Sequence, residues 1–178
     1  MYNSKPFEDE KTIFLNAGAD EYAGSTIKLL KYTVNERGMG GVYITIAKPY
    51  EHLIEEMDKQ GINSEHLYFI DCGSDDVGVG RTEVENCVFS TPNQSKIMME
   101  VNSLLKKVKT KNKFILLDCI STLLVYNNEK SVRDFTMWLM SDVRLSGDVI
   151  GILVTIKEDT PPTLVGFLKA MSEKVIEL

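Results

Sequence analysis

Lys113-Phe114-Ile115-Leu116-Leu117-Asp118-Cys119 is a run of four consecutive apolar residues closed by a carboxylate and a thiol. A segment that is apolar at every position has no water-facing side, so Phe114 to Leu117 reads as a strand buried on both faces of a parallel sheet. Ligands of open parallel sheets collect at the carboxyl ends of the strands, which puts Asp118 at the expected site. The alternative role for Asp118 is local, capping the turn that follows a core strand.

Similar runs flank this one. Thr12 to Asn16 reads as a first strand and Val42 to Ile46, introduced by Gly40-Gly41, as a second. Leu67 to Ile70 is a third, also ending in an Asp-Cys pair, Asp71-Cys72; Phe114 to Leu117 is the fourth and Val149 to Thr155 the fifth. Helical periodicity fills the intervals. After a Gly/Ala/Asp-rich turn, Ala17 to Ala23, residues Ile27, Leu30 and Val34 mark one face of a helix ending near Gly38. Pro49 opens the next helix, with Leu53, Ile54 and Met57 inward and Gly61 as its stop. Ser95 is the expected cap of a helix whose apolar stripe is Ile97, Met98, Val101, Leu104, Leu105 and Val108, and the Met98-Met99 pair is expected to fill core. Another helix runs from about Ser131 to Leu145, and Pro161-Pro162 starts a short one before an edge strand at Val175 to Leu178. Alternating strands and helices give a mainly parallel sheet with helices on both faces, a three-layer α/β/α fold.

Composition narrows the function. The chain has 178 residues and is 43% hydrophobic, the size of one α/β domain over residues 1–178 with a polar lead-in at 1–11. A net charge of −6 and a pI near 5.0 argue against a surface built to neutralise phosphates, so nucleic acid is not the expected partner. The cluster Lys106, Lys107, Lys109, Lys111 and Lys113 reads as a solvated helix end that complements the helix dipole. No stretch approaches the roughly 20 apolar residues of a membrane span, and Met1 to Glu10 is polar and acidic, unlike a secretory signal, so the expected location is cytoplasmic. Cys72, Cys87 and Cys119 have neither zinc nor CxxC spacing, and His52 and His66 belong to no HxxxH array, so no metal site is expected. From Gly73 to Asn93 the periodicity lapses, apart from a short strand at Val84 to Phe89, and a segment of this length inside a domain is often functional.

Laid against the phosphate-binding pattern G-x-x-x-x-G-K-[ST], the turn after the first strand takes the register Ala19-Asp20-Glu21-Tyr22-Ala23-Gly24-Ser25-Thr26. With Gly41-Val-Tyr-Ile-Thr-Ile, Tyr68-Phe-Ile-Asp, Phe114-Ile-Leu-Leu-Asp-Cys-Ile-Ser-Thr-Leu-Leu and Val175-Ile-Glu-Leu in order, the chain from about Thr12 to Leu178 resembles the KaiC-like branch of the RecA superfamily of P-loop ATPases. That resemblance implies a RecA-like core strand order of 3-2-4-5-1. It also implies that the third and fourth strands are two spacings apart, about 9.6 Å, which exceeds the roughly 7 Å Cα limit for a disulfide between Cys72 and Cys119.

Carried over residue by residue, the resemblance implies a nucleotide site reduced to Gly24, Ser25, Thr26 and Asp118. The P-loop lysine falls on Ser25, and its first glycine on Ala19. The paired glutamates after the second strand fall on Ala47-Lys48, and the serine after the strand-end aspartate on Cys119. Thr26 matches the magnesium-side hydroxyl and Asp118 the magnesium-side aspartate. Asp20 and Glu21 place negative charge beside a would-be triphosphate, at a cost of roughly 1 kcal/mol per contact at 4 Å in water and about 4 kcal/mol near a protein surface. The expectation is therefore a non-catalytic pseudo-ATPase with no catalytic residue and no cofactor. Its expected role is a regulatory or assembly module that acts through a protein partner or self-association, with the acidic P-loop equivalent and Gly73 to Asn93 as contact surfaces. The alternative is an ATP-binding protein or weak ATPase using a displaced lysine, Lys28 or Lys48, with Asp118 on Mg²⁺.

Overall fold

In the computed structural model, which describes residues 5–74 and 84–178, seven parallel strands form one sheet. They are β1 (Thr12–Ala17), β2 (Gly40–Thr45), β3 (Leu67–Asp71), β4 (Cys87–Phe89), β5 (Lys113–Asp118), β6 (Val149–Ile156) and β7 (Lys174–Glu177), in the order β4-β3-β2-β5-β6-β1-β7. The five inner strands follow the order expected for the core, and β4 and β7 extend it at the two edges. Six helices connect them: α1 (Ala19–Lys31), α2 (Tyr50–Gln60), α3 (Gln94–Leu105), α4 (Ile120–Tyr126), α5 (Glu129–Leu145) and α6 (Pro162–Met171).

The pleat divides every strand between two cores. In β5, Phe114 and Leu116 face a core that also holds Tyr43, Leu15 and Val154, covered by Ile27 and Leu30 of α1 and Leu53 and Met57 of α2. Ile115 and Leu117 face the opposite core with Val42, Ile44 and Phe14, covered by Ile97 and Val101 of α3, Leu123 of α4, Val132 and Leu139 of α5, and Leu168 of α6. The strands read as continuous apolar runs because both faces are covered. The same parity decides where Asp118 goes: two residues beyond Leu116, it belongs to the α1/α2 side.

Local boundaries depart from the sequence reading in four places. The largest is at the first turn, expected over Ala17 to Ala23: β1 ends at Ala17 and α1 begins at Ala19, with Gly18 alone between them. Tyr22 N–H already donates to Gly18 O at 2.9 Å, and the buried side chain of Tyr22 draws this turn into the helix instead of leaving it as a loop. At its other end α1 continues as a π-helical turn, Tyr32–Glu36, which accommodates buried Tyr32, Thr33 and Val34 before Gly38 turns the chain at φ 63°. The cap of α3 is Asn93, whose Oδ1 accepts from Lys96 N–H at 3.1 Å, and Ser95 lies inside the helix. Met98 packs on the core as expected, but Met99 is 73% exposed. Finally, α4 has no counterpart in the sequence reading, and α5 starts at Glu129, capped by Asn128 through Ser131 N–H at 2.9 Å.

Two glycines test this geometry. A Cβ on Gly41 would lie 2.3 Å from Phe114 O and 2.6 Å from the Phe114 ring, whereas one on Gly24 would meet nothing within 4 Å. Gly41→Ala is predicted to destabilise by about 3 kcal/mol through overpacking. Gly24→Ala is predicted to stabilise by roughly 0.5–1 kcal/mol, because Gly24 sits mid-helix in an exposed position. Urea unfolding of the two variants measures both; a loss of stability in Gly24→Ala would show that residue 24 is not helical.

Candidate functional site

Asp118 ends β5 in register with Thr45 at the end of β2, and Thr45 is in register with Asp71 at the end of β3. All three are fully buried or nearly so at the carboxyl edge of the sheet. Their partners differ, and the partners decide what each can do.

Asp71 is committed to structure. Its carboxylate accepts from Tyr50 N–H at 2.8 Å, Gly73 N–H at 2.8 Å, Ser74 N–H at 3.1 Å and the Ser74 hydroxyl at 2.7 Å. It thereby caps the N-terminus of α2 and fixes the turn after β3. Thr45 Oγ1 accepts from Lys48 N–H at 3.0 Å and donates to Lys48 O at 2.6 Å, which folds the Ile46–Pro49 connection back over the sheet edge.

Asp118 is held by two phenols. The Tyr22 hydroxyl, from the first turns of α1, donates to Oδ1, and the Tyr43 hydroxyl, from β2, donates to Oδ2. Lys48 Nζ lies 5.8 Å from the Tyr22 ring centroid and pairs with Glu56 at 3.2 Å, so a cation and its partner cover the tyrosine from the α2 side. Burial raises the Asp118 carboxyl above the usual carboxylate range, and the Tyr22 and Tyr43 hydrogen bonds and the Lys48 charge oppose that rise. Both phenols are pushed up by burial and by the Asp118 charge. The peptide joining Asp118 to Cys119 is cis. Burial pushes the Cys119 thiol up, and it pushes the Cys72 thiol up to about 12; both are buried free thiols, unsuited to nucleophilic work.

The N-terminus of α1 is also occupied from within. Ala19 N–H donates to Glu158 Oε2 at 3.0 Å, and Gly18 N–H donates to Leu178 O at 3.1 Å. A helix N-terminus attracts anions because its first N–H groups lack intrahelical acceptors. Here the anion is Glu158, from the turn after β6. Nothing in the sequence signals this, since Glu158 is 139 residues away from Ala19.

The four residues singled out by the P-loop register do not meet around one centre. Thr26 is buried, and its hydroxyl donates to Tyr22 O at 2.8 Å, one turn back in α1. Gly24 and Ser25 lie on the outer side of α1, where with Asp20, Glu21, Lys28 and Leu29 they line a cavity of about 390 Å³ closed by Pro6, Leu15, Ile176 and Leu178. Asp118 sits under Tyr22. Of the two displaced lysines considered, Lys28 lines that outer cavity and Lys48 belongs to the Tyr22–Asp118 cluster. The Gly73 to Asn93 segment is described only at 73–74 and 84–93; residues 75–83 lie outside the described residues. Among the described residues, no helix is long and apolar enough to cross a membrane.

No protein-family model matches the chain, and no curated protein matches it in sequence. Solved structures match its fold. A KaiC-like protein from the hyperthermophilic archaeon Pyrococcus horikoshii superposes with a TM-score of 0.60 at 16% identity, over 94% of this chain and 70% of that one. A second P. horikoshii protein gives 0.62 at 13% identity, over 94% and 81%. The flagellar accessory protein FlaH of Methanocaldococcus jannaschii gives 0.57 at 13% identity, over 94% and 70%. The fold is therefore RecA-like, of the kind seen in KaiC-like proteins and FlaH.

Asp118 gives a prediction with a defined sign. A carboxyl raised by burial keeps its proton to higher pH in the folded protein than in the unfolded chain. Between the two values the folded state binds more protons, so this group's contribution to stability falls as pH rises from about 4 through the folded titration, and is flat above it. The stability difference between Asp118→Asn and the wild type should therefore move toward the variant over that window and then level, as read from thermal midpoints at a series of pH values. Movement toward the wild type would mean that the two phenols outweigh burial. Tyr43→Phe removes one donor from the buried carboxylate and should cost about 1.5–3 kcal/mol at neutral pH.

Proposed function

We propose that this chain is a non-catalytic, RecA/KaiC-like pseudo-ATPase domain that works in the cytoplasm as a regulatory or assembly module through protein contacts. The observation that carries the reading is the Glu158 carboxylate bonded to Ala19 N–H at the α1 N-terminus, where a P-loop protein would present a phosphate. An intramolecular carboxylate competes at the high effective concentration of a tethered group, and a phosphate would have to displace it while approaching Asp20 and Glu21. The single-residue link at Gly18 leaves no loop to wrap a polyphosphate. On this reading Gly24, Ser25, Thr26 and Asp118 are vestiges of a nucleotide site.

Asp118 supports the same reading. To reach a magnesium ion it would have to give up two phenolic hydrogen bonds in a buried setting, each worth about 1.5–3 kcal/mol to a charged acceptor. Neither lysine restores the missing charge: Lys48 is paired with Glu56, and Lys28 lies on the outer face of α1. The residues present do not fit a magnesium nucleotide.

Isothermal titration with Mg-ATP and Mg-GTP is predicted to give no binding tighter than about 1 mM, and the Asp118→Asn variant is predicted to behave identically. Micromolar binding, or hydrolysis that disappears in Asp118→Asn, would overturn the proposal in favour of an ATPase using a displaced lysine. Association with nucleic acid that weakens steeply with salt would point instead to a recombinase-like role.

A further inference from the structure

The cavity beside α1 is lined in part by Ile176 of β7 and by Leu178 just after it, so it adjoins the edge strand of the sheet. We propose that this surface receives an extended segment of a partner protein, added to β7 as a further strand, with an apolar side chain in the cavity and a basic side chain against Asp20 and Glu21. The proposal rests on the interaction role above only for the class of partner.

The backbone supplies the first half. Leu178 N–H donates to Asn16 O and Gly18 N–H donates to Leu178 O, each at 3.1 Å, so Leu178 hydrogen-bonds toward β1. By the two-residue period of a strand Ile176 does the same, and Val175 and Glu177 direct their N–H and C=O groups to the opposite side. β7 is the last strand of the sheet, and no described residue hydrogen-bonds to that outer edge. A row of unpaired backbone groups is a template for strand addition.

The side chains supply the second half. Residues opposite one another in neighbouring strands point to the same face, so every second residue of an added strand would lie over the face that carries Ile176 and Leu178. There the cavity of about 390 Å³ has an apolar floor of Leu15, Ile176 and Leu178, with Leu29 of α1 beside them. Its wall is α1, which runs back along β1. Asp20 and Glu21 therefore stand at the carboxyl end of β7, and Lys28, also lining the cavity, stands seven to eight residues further on, about 10–12 Å along the helix. That distance spans three to four residues of a strand. None of these three charged side chains has an ion-pair partner among the described residues. The complementary segment carries a base and an acid four residues apart with an apolar residue midway, all on one face.

Two fluorescein-labelled heptapeptides test this: Thr-Glu-Thr-Leu-Thr-Arg-Thr, matched to parallel addition, and its reverse, Thr-Arg-Thr-Leu-Thr-Glu-Thr, matched to antiparallel addition. One of them should give saturable anisotropy with the full chain and shift the amide resonances of Val175 and Glu177. The double variant Asp20→Lys, Glu21→Lys should weaken it at least tenfold. Glu177→Pro removes an outward N–H and no backbone bond to β1, along with the Glu177 side chain's contacts to Asn16 Nδ2 at 3.5 Å and Lys169 Nζ at 2.7 Å, and should abolish it. Methylating the strand-edge amides of the peptide makes the same test without altering the protein. If neither peptide binds at millimolar concentration, or if binding survives backbone methylation or the charge reversal, the proposal is wrong. Failure here with silent Mg-ATP titrations sinks only this surface, whereas Mg-ATP binding with intact peptide binding sinks only the pseudo-ATPase reading.

Discussion

Burying a carboxylate at the end of a central strand obliges the surrounding structure to supply donors, and in this protein the donors are Tyr22 and Tyr43. Tyr43 is available because β2 lies beside β5 in a register that sets Thr45 opposite Asp118, two residues past the tyrosine on the same face. Tyr22 is available because α1 begins one residue after β1 and covers that face. The contact therefore ties three elements of widely separated sequence to one buried group. Lys48 and Glu56 extend it toward α2, so the carboxyl edge of the sheet is here knitted together by the chain's own side chains.

The contrast between Asp71 and Asp118 shows how little a local motif says about role. Both close an apolar strand and both precede a cysteine. Asp71 spends its lone pairs on three backbone N–H groups and a serine hydroxyl within or near its own turn and on α2, the work of a capping residue. Asp118 has only side-chain donors, contributed from 96 and 75 residues away. The capping role weighed for Asp118 belongs to Asp71.

Periodicity made most of the fold legible. Runs without polar alternation can be satisfied only by burial on both faces, so Phe114 to Leu117 and Val149 to Thr155 announced a covered parallel sheet. Gly61 at φ 66° and Pro162 at the start of α6 marked boundaries where the backbone allows little choice. α4 escaped notice because Ile120 to Tyr126 is only seven residues long and follows the strand without a turn signal. The turn expected over Ala17 to Ala23 was misread for a related reason: Gly18 and Asp20 favour turns locally, but Ala19 and Ala23 are strong helix formers and Tyr22 reaches Asp118 from within the helix.

The sequence by itself determined where the strands fall along the chain and that they are buried, the acidic balance, and the absence of a lysine at Ser25, because each follows from residue type and spacing along the chain. Only the tertiary structure decided that Asp118 is sealed by two phenols, that Glu158 occupies the start of α1, and that Gly24 and Ser25 face an outer cavity instead of the strand ends. Those facts depend on which side chains from distant segments converge. Hydrogen bonds spanning 75 to 139 residues leave no periodic trace in the sequence they join.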